Sequence, residues 1–277
     1  MDYISAQQQG DDTVLTGIKH FDLAQILDCG QAFRWVLTDE GRFTGVAHGR
    51  RLDILLSNGD LILKDVPLAE FESVWKDYFG LGQNYGNLRE MLQIDDNMGK
   101  ALEFSPGLRL MRQDAWEILI SFILSQNSNI PRIKKMIALL CQRFGKELSC
   151  GMFAFPSPEA IAALTVDTLD EIKLGYRAPY IIDAAQRVVD GSLDLAGISA
   201  RPTYAVREAL LKVHGVGPKV ADCVLLFGFG RLECFPMDVH MKRVMAYFYP
   251  KGLPDGLIEY AGIAQQFLFH YARVHGL

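Results

Sequence analysis

A glycine-rich turn between two apolar helical segments constrains the fold more than any other feature. Thr203 to Leu211 and Lys219 to Phe229 have helical apolar spacing, and Gly215-Val216-Gly217-Pro218 separates them. The glycines allow a tight turn, and proline is favoured in the first turn of a helix. The turn also leaves the first N–H groups of the second helix uncovered, and such groups bind phosphate. The pattern predicts a helical hairpin. An ordinary connection between two helices with a glycine stop is the alternative.

The N-terminal part of the chain has the alternating pattern of β-strands. Leu52 to Leu56 and Leu61 to Val66 flank Ser57-Asn58-Gly59-Asp60, and Asn-Gly between apolar runs is the strongest short hairpin signal. Phe33 to Leu37 alternates at its start in the same way. Residues from about 14 to 66 are therefore predicted to form an antiparallel sheet.

After Pro67 the pattern changes to helix and stays helical. Trp116 to Leu124 is apolar nearly all round, as in a buried helix, and Asp114 is placed to cap it. Leu169 to Leu174 is predicted to be a helix that Gly175 stops. The last helix is predicted over Ile258 to Val274.

These patterns predict an α+β protein with an N-terminal antiparallel β-sheet domain packed on a large all-α domain. We place the sheet domain, with its linking helices, at residues 1–105 and the helical domain at residues 106–277. Within the helical domain the hairpin spans about residues 203–229, and a loop that contains Asp238 follows at about residues 234–240.

Composition limits the class of protein. The chain has 277 residues, of which 49% are hydrophobic and 22% charged, as in an ordinary globular protein. No uncharged apolar run reaches the ~18 residues of a membrane span, and Met1 to Asp12 is polar and acidic, unlike a secretory signal. We therefore expect an intracellular protein, in the cytoplasm or nucleoid if its source is bacterial, with no membrane partner. No pattern indicates an oligomer, so a monomer is expected.

The cysteines do not have the spacing of a metal site. None forms a Cys-x-x-Cys pair, which argues against zinc and iron–sulfur centres. We expect reduced thiols at all five positions, Cys29, Cys141, Cys150, Cys223 and Cys234.

The net charge of −5 argues against a nucleic-acid partner, since phosphate binding needs a basic surface. The distribution of charge matters more than its sum. Between Arg207 and Arg243 the chain carries six Lys or Arg and four Asp or Glu. This segment is therefore basic while the rest of the chain is acidic, and a basic face at the hairpin is compatible with the composition.

The residues after the hairpin indicate its class. Phe235-Pro236-Met237-Asp238-Val239-His240 follows, with Asp238 nineteen residues after Lys219. A glycine hairpin and a Pro-x-Asp-x-His stretch together resemble the helix-hairpin-helix glycosylase superfamily, in which a lysine at the start of the second hairpin helix marks the bifunctional members. The resemblance implies that Lys219 and Asp238 are catalytic. Taken singly, the two would be interpreted as a phosphate-binding lysine and a helix N-cap.

Cleavage of an N-glycosidic bond explains why a lysine and an aspartate would be needed. Positive charge builds on the sugar as the base leaves, and a carboxylate such as that of Asp238 stabilises it. The deprotonated amine of Lys219 can attack C1′, and the resulting imine permits strand cleavage by β-elimination. His240, Gly215 and Gly217 are expected to contact the DNA backbone.

The segment Gly30-Gln31-Ala32-Phe33-Arg34-Trp35 resembles the lesion-recognising stretch of the 8-oxoguanine glycosylases. Guanine N7 accepts hydrogen bonds, whereas 8-oxoguanine carries a hydrogen there. The resemblance implies that the Gly30 carbonyl binds this hydrogen, and glycine permits the close approach. A turn glycine that enters a strand is the alternative.

Two residue pairs with i, i+4 helical spacing fit a base pocket: Lys219 with Cys223, and Gln265 with Phe269. The same resemblance implies that Cys223 and Phe269 cover the two faces of a flipped base while Gln265 binds its Watson–Crick edge. The alternatives are core packing for Cys223 and Phe269 and a solvated helix position for Gln265.

Two loops resemble the segments that fill the gap left by a flipped base. In Ser125-Gln126-Asn127-Ser128-Asn129-Ile130-Pro131-Arg132, Asn127 would fill the gap and Arg132 would contact the orphan cytosine. In Leu174-Gly175-Tyr176-Arg177, Tyr176 would intercalate and Arg177 would contact the same cytosine. Asn-Ser-Asn stands where eukaryotic members have Asn-Asn-Asn, so this chain departs from their pattern in the loop that would fill the gap.

We therefore predict a bifunctional DNA glycosylase and AP lyase that excises 8-oxoguanine through a lysine Schiff base. Its partner is double-stranded DNA that contains an oxidised purine. No cofactor, metal or iron–sulfur cluster is expected, although the resemblance allows a monovalent cation at the hairpin. The alternatives are a glycosylase for an alkylated purine or an oxidised pyrimidine, and a hairpin module that binds DNA without chemistry.

Overall fold

The computed structural model of the chain describes residues 1–148 and 151–277, and the predicted reduced thiol of Cys150 lies outside the described residues. The described residues divide into two compact units. The first comprises Met1–Gly45, Leu52–Arg112 and Leu232–Leu277, and the second comprises Val46–Arg51 and Gln113–Arg231. The sequence-based boundary after residue 105 stays a prediction. No helix in the described part of the chain is long and apolar enough to cross a membrane.

The N-terminal residues form a six-stranded sheet with the strand order β1-β2-β6-β5-β4-β3. Its strands are β1 (Ser5–Gln9), β2 (Asp12–Thr16), β3 (Trp35–Leu37), β4 (Phe43–Ala47), β5 (Arg50–Ser57) and β6 (Asp60–Lys64). The pairs β1–β2, β2–β6, β3–β4 and β5–β6 are antiparallel. The predicted antiparallel sheet is confirmed.

The Asn-Gly signal is a tight turn in the structure. Asn58 and Gly59 connect β5 to β6 with φ values of +53° and +84°, and positive φ at both central residues is what a two-residue type I′ turn requires. Ser57 pairs with Asp60 across the turn. The local sequence therefore sets the register of this hairpin.

Strand β3 begins at Trp35, not at Phe33 as predicted. Trp35 lies opposite Gly45 in the β3–β4 register, and a Cβ on Gly45 would fall 2.4 Å from the indole. The indole Nε1 donates a hydrogen bond of 2.9 Å to the Tyr78 hydroxyl. Glycine at position 45 is therefore what allows the indole to lie across the strand and reach Tyr78.

A buried ion pair anchors the N-terminus within the first unit. Asp2 and Arg109 are 6% and 0% exposed, and Oδ2 of Asp2 lies 2.7 Å from Nη1 of Arg109. The guanidinium also lies over the ring of Tyr85, 4.2 Å from its centroid. Burial opposes ionisation of Asp2, but hydrogen bonds from Arg109 and from the backbone of Tyr85 outweigh it and lower the pKa of the carboxyl.

Helices make up most of the remaining structure. They are α1 (Leu23–Leu27), α2 (Leu68–Glu70), α3 (Lys76–Tyr78), α4 (Tyr85–Leu92), α5 (Asp96–Phe104), α6 (Ala115–Leu124), α7 (Ile130–Phe144), α8 (Pro158–Ala162), α9 (Val166–Asp170), α10 (Ala178–Val189), α11 (Leu195–Ile198), α12 (Thr203–Leu211), α13 (Pro218–Cys223), α14 (Val239–Phe248) and α15 (Ala261–His275). Two π-helical turns, Phe71–Trp75 and Val224–Gly228, follow α2 and α13. The sheet and these helices confirm the α+β class.

Side-chain caps set several helix starts. Asp114 accepts a hydrogen bond of 2.8 Å from the backbone N of Glu117 at the start of α6. Ser157 caps α8 in the same way. Every residue from Trp116 to Leu124 except Glu117 is buried, so the predicted buried helix is confirmed.

Two helix bounds differ from the prediction. The helix predicted to stop at Gly175 ends earlier, at Asp170, because Lys173 and Gly175 both have positive φ values, +57° and +59°. Gly175 begins a 3₁₀ turn instead. The last helix, α15, begins at Ala261 rather than at Ile258, since Asp255–Tyr260 forms a separate 3₁₀ helix.

Candidate active site

The glycine turn forms a helical hairpin in the second unit, between the end of α12 at Leu211 and the start of α13 at Pro218. Gly215 has a φ of +80°, and a Cβ there would fall 2.2 Å from the ring of Tyr180. Backbone conformation and packing therefore both require glycine at position 215.

Gly217 is a glycine for a different reason. It is the N-cap residue of α13, with a φ of −99° and no side-chain cap bond. A Cβ there would meet nothing within 4 Å. The position that a side chain of residue 217 would take is therefore open space, beside a helix N-terminus that has no side-chain cap, and such termini bind phosphate.

Lys219 lies in the first turn of α13 and is half-buried. Its Nζ atom lies 4.7 Å from the centroid of the Phe122 ring on α6, and an aromatic face attracts a cationic amine. Cys223 is the last residue of α13 and is 2% exposed. The predicted i, i+4 pair thus lies on one helix, and Lys219 is the more exposed of the two residues.

Gln126 joins the Asn-rich loop to the hairpin within the second unit. Its Nε2 atom donates a hydrogen bond of 3.0 Å to the carbonyl of Gly215. Its own carbonyl accepts hydrogen bonds from the Tyr176 hydroxyl, over 3.1 Å, and from the guanidinium of Arg177. One residue therefore connects three segments that are far apart in the sequence.

Asn127, Tyr176 and Arg177, predicted from two separate loops, form one cluster. The Nδ2 atom of Asn127 donates a hydrogen bond of 3.2 Å to the Tyr176 hydroxyl, and both residues are exposed. Arg177 is only 3% exposed, and its guanidinium donates to the carbonyls of Leu174, Gln126 and Asn127. Its predicted contact with a cytosine would require it to leave these bonds.

Arg132 differs from Arg177 in its surroundings. It lies in the first turn of α7, where its backbone N donates a hydrogen bond of 3.0 Å to the side chain of Asn129. Arg132 is exposed. Of the two arginines predicted to contact the orphan cytosine, one is therefore at the surface and the other is engaged by the loop backbone.

Asp238 caps α14 in the first unit. Its Oδ1 atom accepts a hydrogen bond of 2.7 Å from the backbone N of Met241, so the capping interpretation is confirmed. The cap bond uses one carboxylate oxygen, and a carboxylate has a second. Capping and a catalytic role are therefore compatible, and the cap fixes the direction of the carboxylate.

His240 and Phe269, both predicted site residues, contact each other in the first unit. Their ring centroids are 5.3 Å apart and the rings are nearly perpendicular, at 89°. Both residues are half-buried. The start of α14 therefore contacts the face of α15 that carries Phe269. A backbone contact of His240 with DNA stays a prediction.

Gln265 lies one turn before Phe269 on α15. It is 5% exposed, which excludes the solvated helix position considered from the sequence. Its Oε1 atom is buried and has no hydrogen-bond partner among residues 1–148 and 151–277. Leaving a buried polar atom unpaired is costly, and this oxygen can accept a hydrogen bond from a bound group.

Gly30 lies between two fully buried residues, Cys29 and Gln31. It has a φ of +91°, which favours glycine, while Cys29 and Gln31 are both 0% exposed. The side chain of Gln31 donates to the carbonyl of Arg109 over 2.8 Å and accepts from the backbone N of Met111 over 3.0 Å. The glycine enters no strand directly, since β3 begins at Trp35.

The four described cysteines are buried, and none of them is in a disulfide: Cys29, Cys141, Cys223 and Cys234. Burial raises the pKa of the Cys29 thiol to about 11. Within the part of the chain that the structure describes, no three His, Cys, Asp or Glu side chains are grouped as metal ligands. That the protein works without a cofactor stays a prediction.

Four residues that contact the predicted site residues or their sequence neighbours are not predicted from the sequence. These are Phe122, Gln126, Tyr180 and Gln266. Gln126 and Gln266 each stand next to a predicted site residue in the sequence, and that position is the one signal that could have pointed to them.

Two family models match consecutive parts of the chain. The N-terminal domain of 8-oxoguanine DNA glycosylase matches residues 13–119. The HhH-GPD superfamily of base excision DNA repair proteins matches residues 120–252, which include the hairpin, Lys219 and Asp238. Fold and site together define a helix-hairpin-helix protein of base excision repair.

Curated relatives are similar over much of the chain. The N-glycosylase/DNA lyase of Saccharomyces cerevisiae is 31% identical over 254 residues, which span 80% of this chain and 66% of the yeast protein. The probable N-glycosylase/DNA lyase of Methanothermobacter thermautotrophicus is 32% identical over 216 residues, which span 66% of this chain and 69% of that protein.

A solved structure matches the whole chain. The 8-oxoguanine glycosylase/lyase of Clostridium acetobutylicum, in complex with double-stranded DNA containing cytosine opposite 8-oxoguanine, has a TM-score of 0.94 and 33% identity, with 100% of both chains covered. The chain belongs to the 8-oxoguanine DNA glycosylase family within the HhH-GPD superfamily.

Proposed function

We propose that this protein excises 8-oxoguanine from duplex DNA and then cleaves the strand at the resulting abasic site. The observation that carries the proposal is the position of Lys219, in the first turn of α13 directly after the Gly215–Gly217 turn, in a chain of this family. Its amine lies against the ring of Phe122. A module that only binds DNA would not need a half-buried amine at this point.

Lys219 acts as the nucleophile. Its deprotonated amine forms a bond to C1′ of the sugar as the bond from C1′ to the base breaks, and the base leaves with that electron pair and takes up a proton. The sugar opens to an imine with the lysine. Loss of a proton from C2′ then expels the 3′ phosphate by β-elimination, and water releases the lysine from the imine.

Asp238 stabilises the positive charge that develops on the sugar during the first step. A fixed carboxylate does this without having to reorganise at the moment of reaction. The cap bond to Met241 supports the assignment because it holds the carboxylate in one direction.

The base pocket distinguishes the lesion from guanine. Gly30 accepts a hydrogen bond from N7–H of 8-oxoguanine, which guanine cannot donate. Gln265 binds the Watson–Crick edge, and its buried Oε1, which has no hydrogen-bond partner among the described residues, supports this role. Cys223 and Phe269 cover the faces of the extruded base, as flipped bases require.

Contacts with the duplex come from the hairpin and the two loops. The backbone at Gly215 and Gly217 and the side chain of His240 bind phosphates. Asn127 and Tyr176 occupy the gap left by the base, and Arg132 and Arg177 contact the orphan cytosine. The protein acts as a monomer inside the cell, where its DNA substrate is, and needs no cofactor, although the hairpin can accommodate a monovalent cation.

Base release from matched duplexes tests the proposal. One sequence carries, at the same position, 8-oxoguanine, guanine, 7-methylguanine or an oxidised pyrimidine. We expect release of 8-oxoguanine opposite cytosine at least on the order of 10²-fold faster than release of the other bases, since a site built around one hydrogen bond rejects bases that lack it. Preferred release of 7-methylguanine or of the pyrimidine would replace the lesion assignment. Binding without any release would support a non-catalytic module.

A further inference from the structure

Two side chains of α15 hold the segment that precedes Gly30, all within the first unit. Gln266 Nε2 donates a hydrogen bond of 3.1 Å to the carbonyl of Cys29. Arg273 Nη2 donates a hydrogen bond of 2.7 Å to the carbonyl of Asp28. The two donors are seven residues apart in the sequence, about two helical turns, and so share a face of α15. Helix α15 therefore donates hydrogen bonds to two successive backbone carbonyls, those of Asp28 and Cys29, which precede Gly30.

The bond from Gln266 fixes the peptide plane that leads into Gly30. The carbonyl of Cys29 and the N–H of Gly30 belong to one planar peptide group, so holding the carbonyl holds the plane. On the other side, Gln31 is fixed by its hydrogen bonds to Arg109 and Met111. Gly30 itself has no side chain and the widest conformational freedom of any residue. The direction of its own carbonyl therefore depends on these two neighbours.

Gln266 is well placed to couple this segment to the base pocket. It is 3% exposed and follows Gln265 directly on α15, one turn before His270. The residue that binds the base edge and the residue that holds the recognition segment are thus carried by one helix. A displacement of the segment changes the distance between the Gly30 carbonyl and a base held by Gln265.

We propose that Gln266 is a positioning residue for lesion recognition, which holds the Gly30 carbonyl where it can accept the N7 hydrogen of 8-oxoguanine. The inference rests on the proposed function, because it needs Gly30 to be the group that recognises N7–H. Hydrogen bonds weaken steeply when their angle departs from linear. Loss of the Gln266 bond therefore reduces the preference for 8-oxoguanine without touching the nucleophile.

Replacement of Gln266 by methionine tests the inference, because methionine keeps the length of the side chain and removes the donor. Three duplexes are compared: 8-oxoguanine opposite cytosine, guanine opposite cytosine, and an abasic site opposite cytosine. The first two give the ratio of binding affinities and the rate of base excision. The third gives cleavage by Lys219 without base recognition. All rates are expressed per molecule that can be trapped on abasic DNA, so partial unfolding does not affect them.

For Gln266→Met we expect the affinity ratio of 8-oxoguanine to guanine, and the rate of excision, to fall about ten-fold, as for loss of one net hydrogen bond. Abasic-site cleavage should stay within about two-fold of the parent rate, because base recognition plays no part in it. The side chain in Gln266→Asn is one methylene shorter and cannot reach Cys29, so this variant should behave in the same way. It serves as the test if Gln266→Met does not fold.

Asn97→Leu provides the matched control in the same unit. Asn97 Nδ2 donates a hydrogen bond of 3.0 Å to the carbonyl of Phe248, so the variant loses the same kind of bond away from Gly30. We expect its affinity ratio to equal that of the parent. An unchanged ratio in both Gln266 variants, or an equal fall in excision and abasic-site cleavage, would overturn the inference. Failure of the parent itself to excise 8-oxoguanine would overturn the proposed function instead.

Discussion

The side chain of Gln126 donates a hydrogen bond of 3.0 Å to the carbonyl oxygen of Gly215, so the loop that carries Asn127 is tied directly to the hairpin. The carbonyl of Gln126 accepts a hydrogen bond from the Tyr176 hydroxyl. The hairpin and both loops that we assign to DNA contact are therefore connected by hydrogen bonds within residues 113–231. A change at one of the three is expected to affect binding through the other two.

Gln126→Leu should weaken binding to every duplex, with or without a lesion, by about three- to ten-fold. The reason is that one hydrogen bond worth ~1 kcal/mol no longer holds the loop and hairpin together. Gln142→Leu, an exposed position on α7, is the control and should bind as the parent does. Fluorescence anisotropy with a lesion-containing and an undamaged duplex measures both affinities. A loss confined to the lesion duplex would contradict the coupling.

The two hairpin glycines should respond differently to alanine. Gly215→Ala places a Cβ against Tyr180 at a φ of +80°, and we expect a loss of at least about 2 kcal/mol in unfolding free energy. Gly217→Ala meets no atom within 4 Å, so its stability should be unchanged while its DNA affinity falls. Urea denaturation and binding assays on both variants separate the two effects. Equal stability of the two variants would contradict the assignment.

Substitution of Asp238 separates capping from catalysis. Asn caps helices about as well as Asp, so Asp238→Asn should keep the bond to Met241 and fold with normal stability. It has lost the negative charge, and we expect base excision to slow by 10²-fold or more. Asp238→Ala should show the same slow excision and an additional loss of about 1 kcal/mol in stability. Normal excision by Asp238→Asn would leave Asp238 with a structural role only. Single-turnover excision and urea denaturation are the measurements.

The Asp2–Arg109 pair makes stability depend on pH in one direction. The pKa of Asp2 is lowered in the folded protein from its ordinary value of 3.8. The contribution of the Asp2 carboxylate to the free energy of unfolding is therefore fully present above pH 3.8. It is lost as the pH falls through the lower pKa that Asp2 has in the folded protein. Asp2→Asn leaves Arg109 buried without its counter-ion, and we expect it to cost ~3–5 kcal/mol at pH 7.

Urea denaturation of the parent and of Asp2→Asn between pH 7 and pH 3 tests this dependence. The difference in unfolding free energy should be constant from pH 7 to about pH 5 and should narrow only below about pH 4. Asp11→Asn, at an exposed carboxyl, should show no difference from the parent. If the difference in unfolding free energy between the parent and Asp2→Asn narrows between pH 7 and pH 5, a titratable group other than Asp2 is responsible.

Features encoded by neighbouring residues could be predicted from the sequence. The turn at Asn58 and Gly59 follows from the φ values that those residues tolerate, and the cap at Asp114 follows from its distance to the first apolar residue of α6. The same local reasoning misplaced the helix before Gly175, because nothing in the sequence marks the positive φ of Lys173.

Contacts between distant residues could not be predicted in this way. Gln126 and Gly215 are separated by 89 positions, and Cys29 and Gln266 by 237. Periodicity shows which face of a helix is apolar but not which carbonyl a buried amide will meet. The resemblance pointed to the residues expected to act on DNA, whereas the side chains that hold them in place became visible only in the structure.

The central claim is that Lys219 forms a covalent imine with the sugar of an 8-oxoguanine nucleotide. Borohydride reduction in the presence of duplex DNA with one 8-oxoguanine opposite cytosine traps such an imine as a stable adduct. The parent protein is compared with Lys219→Gln and with Lys212→Gln, which removes an exposed lysine at the end of α12 in the same hairpin. We predict an adduct with the parent and with Lys212→Gln, and none with Lys219→Gln. An adduct that survives in Lys219→Gln, or no adduct with the parent, would contradict the account.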